Sequence, residues 1–324
     1  VPALSEAEGS LREGVGGGRS RSRSFAGVGV FFAILAGLTI VRLLIAFIPA
    51  PLHLVFALSI AVTVLFVAAP IFGLFRAANG PWTPKTAVAF LIGGVALHAG
   101  MLMIGAAAGR NVAGLVCLSV AQVGLITWCV GLGGLLGTML KDKNLLIPVT
   151  IFLGSFDLFL VFAPEGPTRI IMQAAPKILP TIGYAIPRVA TAPHAVPVAP
   201  YAVVGPADFV FMAMFFIALF RFDMRARETF IALVPTLLLY LLLSGFFGAI
   251  PLLPPIALVV LVVNARQFTM NKEEKLSTLG IGLICAALIA FAATRPKPRP
   301  ELVNPGPGPA RPGPEGLHAP TSRG

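Results

Sequence analysis

The chain has 324 residues, 57% of them apolar and only 11% charged, with a mean hydropathy of +0.91. A soluble domain is about 45–50% apolar and about 25% charged, so a soluble globular fold is excluded. The net charge of +11 sits in the tails and in short loops between apolar stretches, where it orients helices. No basic stripe with interleaved aromatics is present, which argues against nucleic acid as a partner. Cys117, Cys129 and Cys285 lie singly inside apolar runs and read as small apolar fillers. His53, His98, His194 and His318 are scattered, and His98 reads as a packed, hydrogen-bonded interior histidine. Neither a metal nor another cofactor is expected.

The first residue is Val1, which reads as a trimmed chain or an alternative start. Residues 1–24 are polar and Gly-rich and end in Arg19-Ser20-Arg21-Ser22-Arg23. The apolar stretch that follows is too long for a signal-peptide core, so it reads as a disordered tail leading into a first membrane anchor. Nine spans follow, at about 25–48, 52–75, 86–108, 112–138, 145–164, 207–222, 228–246, 249–264 and 277–293. Most approach the roughly 20 residues that a helix needs to cross a bilayer. The expected fold is therefore all-α, a polytopic transmembrane bundle. Pro49 and Pro51 separate the first two spans, and Asn79-Gly80-Pro81 precedes the third. Gly133 and Gly137 in the fourth form a GxxxG pair that permits close helix packing.

The connection 165–206 is the longest. Ile170, Ile171, Met172, Ile178 and Leu179 suit a short amphipathic segment on the membrane surface, and Ala190 to Pro206 reads as extended. Beyond Thr294, nine prolines between Pro296 and Pro320 predict a solvated tail over 295–324.

Of thirteen acidic residues, Asp157 and Asp208 alone lie where water is scarce. A carboxylate among apolar helices costs a few kcal/mol and usually faces a cavity or a partner. No Lys or Arg lies at comparable depth in either segment, so the natural partner of each is the other. Seven residues of helix put Asp157 roughly 10 Å below Pro164 at about 1.5 Å per residue. An extended Val203–Ala207, at about 3.3 Å per residue, reaches a similar depth. Gly205 supplies a bend there and Pro206 a helix start. Two adjacent carboxylates share one proton, which suits general acid–base hydrolysis of a peptide bond. The same pair suits a proton path in a coupled transporter, and the residues alone leave both open.

Phe156-Asp157-Leu158, Val161 and Pro164-Glu165-Gly166-Pro167-Thr168-Arg169 resemble the first aspartate motif of the presenilin and signal-peptide-peptidase family, with its Pro-x-Gly-Pro-x-Arg turn. Asp208-Phe209-Val210-Phe211 resembles the second, and Pro251-Leu252-Leu253-Pro254 stands where that family has Pro-Ala-Leu-Pro. The resemblance covers about 145–264. It implies an intramembrane aspartyl endopeptidase in which Asp157 and Asp208 activate water. Gly205, Pro206, Ala207, Phe209, Pro251, Leu252 and Leu253 would then flank the substrate. Single-span membrane proteins or signal peptides would be the substrates, the lipid bilayer the medium, and the plasma membrane the location.

On this view 25–144 holds N-terminal helices, 145–264 the catalytic region with its loop 165–206, and 265–294 an extra span. The sequence departs from the family at three points. Ala207 replaces a glycine, so its methyl is expected to crowd a close backbone approach. Leu252 replaces an alanine. Four spans rather than five precede Asp157, and one follows the Pro-Leu-Leu-Pro span. An inactive scaffold of the same fold is the alternative that these departures raise. Basic residues recur in alternate loops, at Arg76/Lys85, Lys141/Lys143, Arg221/Arg225/Arg227 and Arg266/Lys272/Lys275. The positive-inside rule puts these in the cytoplasm and the 165–206 loop outside, whereas the family resemblance puts that loop in the cytoplasm.

Overall fold

Apolar runs that must satisfy their own backbone in lipid become helices. The structure, a computed structural model, describes residues 26–109, 111–162, 179–189, 200–247 and 251–294. Nine helices of twelve residues or more are found among them. They are α1 (Ala26–Phe47), α2 (Val55–Ala78), α3 (Pro84–Ala108), α4 (Val112–Met139) and α5 (Leu146–Phe162). After the long connection come α6 (Pro206–Arg221), α7 (Ala226–Phe247), α8 (Leu253–Asn264) and α9 (Lys272–Thr294). Seven helical stretches are long and apolar enough to cross a membrane, and large apolar side chains such as Phe56, 78% exposed, face outward as lipid requires. The chain is an integral, multi-pass membrane protein.

Local chemistry explains the helix ends. Thr83 and Thr86 cap α3 reciprocally, each hydroxyl accepting the other's backbone N–H, with Pro84 at the first helical position. Asn111 caps α4 by accepting the Gly114 N–H at 2.9 Å. Asn271 and Glu274 form the same reciprocal box on α9, which therefore begins at Lys272, five residues before the expected 277. Helix α8 starts at Leu253, four residues after the expected 249, because Pro254 and Pro255 fit only the first turn of a helix.

One feature departs from an all-α reading. Within the long connection a single helical turn, Leu179–Ile182, precedes strand β1 (Tyr184–Ile186). It pairs antiparallel with β2 (Ala202–Val204), in the register Tyr184↔Val204, Ala185↔Val203, Ile186↔Ala202. Three-residue strands are too short to show an alternating pattern. The expected extended run before Asp208 is β2 and Gly205, and the helix begins at Pro206. The two tails, the Pro164–Arg169 turn and the proposed amphipathic stretch up to Ile178 lie outside the described residues, as does 190–199.

Helix α6 is buried almost all round from Phe209 to Leu219 and forms the centre of the bundle. It lies against α4 through the predicted glycine pair. A Cβ on Gly133 would stand 2.3 Å from the Val210 carbonyl oxygen, and one on Gly137 3.1 Å from that of Met214. Gly94, Gly124 and Gly131 bring α3 and α4 together in the same way. Nearby, the His98 ring makes the expected interior bond, from Nδ1 to the Ala121 carbonyl at 2.8 Å. At the other end of α6, Arg221 Nη1 donates to the carbonyls of Gly137, Thr138 and Leu140, which α4 leaves unpaired where it ends. Helix α5 packs against α8 and α9.

Gly133→Ala is expected to lower stability by about 1–3 kcal/mol, the usual cost of overpacking, whereas Gly93→Ala, with nothing within 4 Å of the new Cβ, leaves it unchanged. Thermal unfolding in detergent distinguishes the two, and equal effects would remove the α4–α6 contact from the account.

Candidate functional site

Asp157 lies on α5, three residues after Gly154, whose missing side chain lets α8 approach. A Cβ there would meet Ala257 Cβ at 3.2 Å and Pro254 Cα at 3.6 Å. The start of α8 reads Leu252-Leu253-Pro254-Pro255. A helix begins with unpaired N–H groups, but two of these residues are prolines and have none. Leu253 supplies the remaining donor, and Asp157 Oδ2 accepts its N–H at 3.0 Å. The Leu252 N–H points at the same carboxylate. Asp157 thus caps a helix that follows it by almost a hundred residues.

Asp208 is the third residue of α6. Gly205 is extended (φ −65°, ψ 147°) and Pro206 takes the first helical position, again without an N–H. The Asp208 side chain turns back, and its Oδ2 accepts the Gly205 N–H at 3.1 Å. A Cβ on Gly205 would lie 3.1 Å from that same oxygen, so a bare Cα suits the turn. Cys129 of α4, read as an apolar filler, does more than fill. Its thiol donates to the Pro206 carbonyl at 3.4 Å and lies within electrostatic reach of Asp208.

Asp157 and Asp208 lie within electrostatic reach of one another, and Tyr240 of α7 lies within reach of Asp157. Among the described residues, Asp157 thus has two backbone donors on its carboxylate, and Asp208 has one, on Oδ2. Depth follows from helix length. Helices of 16 and 12 residues rise about 24 and 18 Å, short of the roughly 30 Å hydrocarbon layer. If the basic residues Arg221 and Arg266 at their far ends sit at the membrane surface, α6 and α8 start inside that layer, where unpaired N–H groups are costly and an anionic cap is favoured by the helix dipole.

The ladder stands directly before this site. The Ala185 N–H donates to Gln122 Oε1 at 2.9 Å, and its carbonyl accepts from Arg42 Nη2. Both Ala185 groups therefore point away from β2, which makes Ala185↔Val203 a non-hydrogen-bonded pair. The Val203 N–H and C=O point outward in turn, and among the described residues they have no partner. That edge, unpaired among the described residues, lies five residues upstream of Asp208.

The other residues named from the sequence divide. Gly205, Pro206, Leu252 and Leu253 meet the carboxylates or their caps through backbone groups. Phe209, expected to flank a substrate, is 3% exposed and packs edge-on against Tyr184 at 5.3 Å, so it is a core residue. The side chains of Pro251 and Leu253 are likewise buried. Ala207, expected to crowd the approach, is exposed. Cys129, Tyr240, Gln122 and Arg42 were missed, although Arg42 carries the same signal as the aspartates, a charge inside an apolar span. No protein-family profile, curated protein or solved structure matches the chain.

Asp157→Ala and Asp208→Ala each remove a cap and are expected to cost about 1 kcal/mol, while the Asn variants keep an accepting oxygen and cost less than about 0.5 kcal/mol. Thermal unfolding of the four proteins checks this, and Ala variants as stable as wild type would remove the capping role.

Proposed function

We propose that the chain is an intramembrane aspartyl endopeptidase of the presenilin and signal-peptide-peptidase kind, which cleaves single-span membrane proteins or signal peptides in the plasma membrane. The observation that carries this reading is that Asp157 and Asp208, each bonded to the start of a helix, lie within electrostatic reach of one another and so can turn carboxylate oxygens toward one water. A water held between those oxygens loses a proton to the ionised member as it attacks the peptide carbon. The protonated member donates to the carbonyl oxygen, and the tetrahedral diol collapses when the leaving nitrogen takes a proton from the dyad. No covalent enzyme intermediate forms. The helix starts hold both carboxylates in place before reaction, so little reorganisation accompanies the proton transfers.

A substrate helix must unwind to expose its peptide bond, and the unwound backbone then needs partners. The open edge of β2 at Val203 offers an N–H and a C=O for one more strand. The basic ends of the bundle support an orientation. Asp208 lies thirteen residues from Arg221, about 20 Å along α6, so the site is at the end of the bundle remote from the basic loops. With those loops cytoplasmic, the dyad lies nearer the outer leaflet and the ladder faces the exterior.

The capping bonds favour a second reading, an inactive scaffold of the same fold, because each carboxylate already has a structural task. Asn substitution separates the two. Cleavage of a membrane reporter is expected to fall at least about 100-fold in Asp157→Asn and in Asp208→Asn with folding retained. A wild-type protein that is folded but cuts nothing supports the scaffold. On the enzyme reading Val203→Pro, which deletes the N–H of the open edge, raises KM about tenfold, a loss of about 1.4 kcal/mol of binding. An unchanged KM would remove the strand-addition step.

A further inference from the structure

Arg42 stands five residues from the end of α1, inside an otherwise apolar helix. Its partners are a carbonyl and two aromatic faces rather than a carboxylate. The guanidinium donates to the Ala185 C=O of β1, and its Cζ lies 5.4 Å from the ring centroids of both Phe66 and Tyr184. From the other side, Gln122 of α4 accepts the Ala185 N–H at 2.9 Å and donates to the Gly183 C=O at 3.3 Å. These contacts span 143 and 63 residues of sequence. Around them is a cavity of about 10 Å³ lined by Thr39, Arg42, Ser119, Gln122 and Tyr184. The Tyr184 hydroxyl is buried beside the guanidinium without a hydrogen bond of good geometry. A charged fork and an amide are thus spent on two backbone groups of one short strand and a third on the residue before it.

We propose that Arg42 and Gln122 are positioning residues that close the outer edge of β1, so that the edge of β2 is the one left for an extended peptide, and that hold Val203–Asp208 in place relative to Asp157. The proposal rests on reading Asp157 and Asp208 as a proteolytic pair. A strand with both edges open would accept a peptide on either side. Only addition to β2 brings the new strand beside the chain that leads into Asp208. The arginine fork suits the task because it stays charged, donates in a plane and lies against aromatic rings, which an ammonium does less well. Tyr184 joins the two roles. Its ring lies beside the guanidinium and packs on Phe209, the residue after Asp208.

The test uses the full-length protein in lipid nanodiscs, with Arg42→Met, Arg42→Lys and Gln122→Leu. Hydrogen exchange of segments 184–186 and 202–205 is expected to quicken at least tenfold in Arg42→Met and Gln122→Leu and less in Arg42→Lys, with α4 and α6 unchanged. With a membrane substrate, the same two variants raise KM more than they lower kcat and spread cleavage over neighbouring peptide bonds, and Arg42→Lys partly restores the single cut. Exchange unchanged in both segments overturns the proposal. Exchange that quickens equally throughout α4 and α6 also overturns it, because the residues then support the whole bundle. If wild type cleaves nothing, the exchange result still decides whether Arg42 and Gln122 hold the ladder, while the proteolytic reading falls separately.

Discussion

A carboxylate in a bilayer must find hydrogen-bond donors within the protein, and the start of a helix has donors with no other partner. The structure uses each need to meet the other. Asp157 answers the first N–H of α8, Asp208 answers the bend that opens α6, and both helices are too short to span the hydrocarbon layer. The prolines at 206, 254 and 255 reduce the number of donors to what one carboxylate can accept. Shorten, polarise or reposition either helix start and the paired acids lose the reason to sit where they do.

The rest of the bundle keeps those two helix starts at one level. Helix α4 is the spine. Its glycines admit α3 on one side and α6 on another, Cys129 reaches the backbone at Pro206, and Gln122 reaches β1. Gly154 does for α5 and α8 what Gly133 does for α4 and α6. Helix–helix association in lipid lacks the hydrophobic drive that works in water, so close backbone approach through small residues takes its place. The dyad is therefore positioned by glycines that never touch it. Helix α9, beyond the expected end of the family pattern, packs on α5, the helix that carries Asp157.

Much of this was legible in the sequence because the signals are local. Apolar runs bounded by Pro49 and Pro51 or by Asn79-Gly80-Pro81 mark helix ends, and Asp157 and Asp208 stand out against apolar neighbours. Gly133 and Gly137 announce their packing by spacing alone. What stayed hidden depends on the partner across the fold. Nothing near Phe209 says that its ring meets Tyr184 rather than a substrate, and nothing near Ala207 says that its methyl points away from the bundle. The tie between Arg42 and Ala185 joins residues that only the folded bundle brings together. The ladder was hidden for another reason, since three residues per strand show no period. Leu253 was named as flanking a substrate, yet its N–H is bonded to Asp157.

The central claim is that residues 157 and 208 meet. In a protein whose native cysteines are replaced by serine, Asp157→Cys and Asp208→Cys together are expected to be joined by a short bifunctional thiol reagent in native membranes. A double variant in which each thiol reacts singly with a monofunctional reagent, but in which no bridge forms with reagents of increasing reach up to about 10 Å, would contradict the claim, since that reach exceeds the separation at which one water can link two carboxylates.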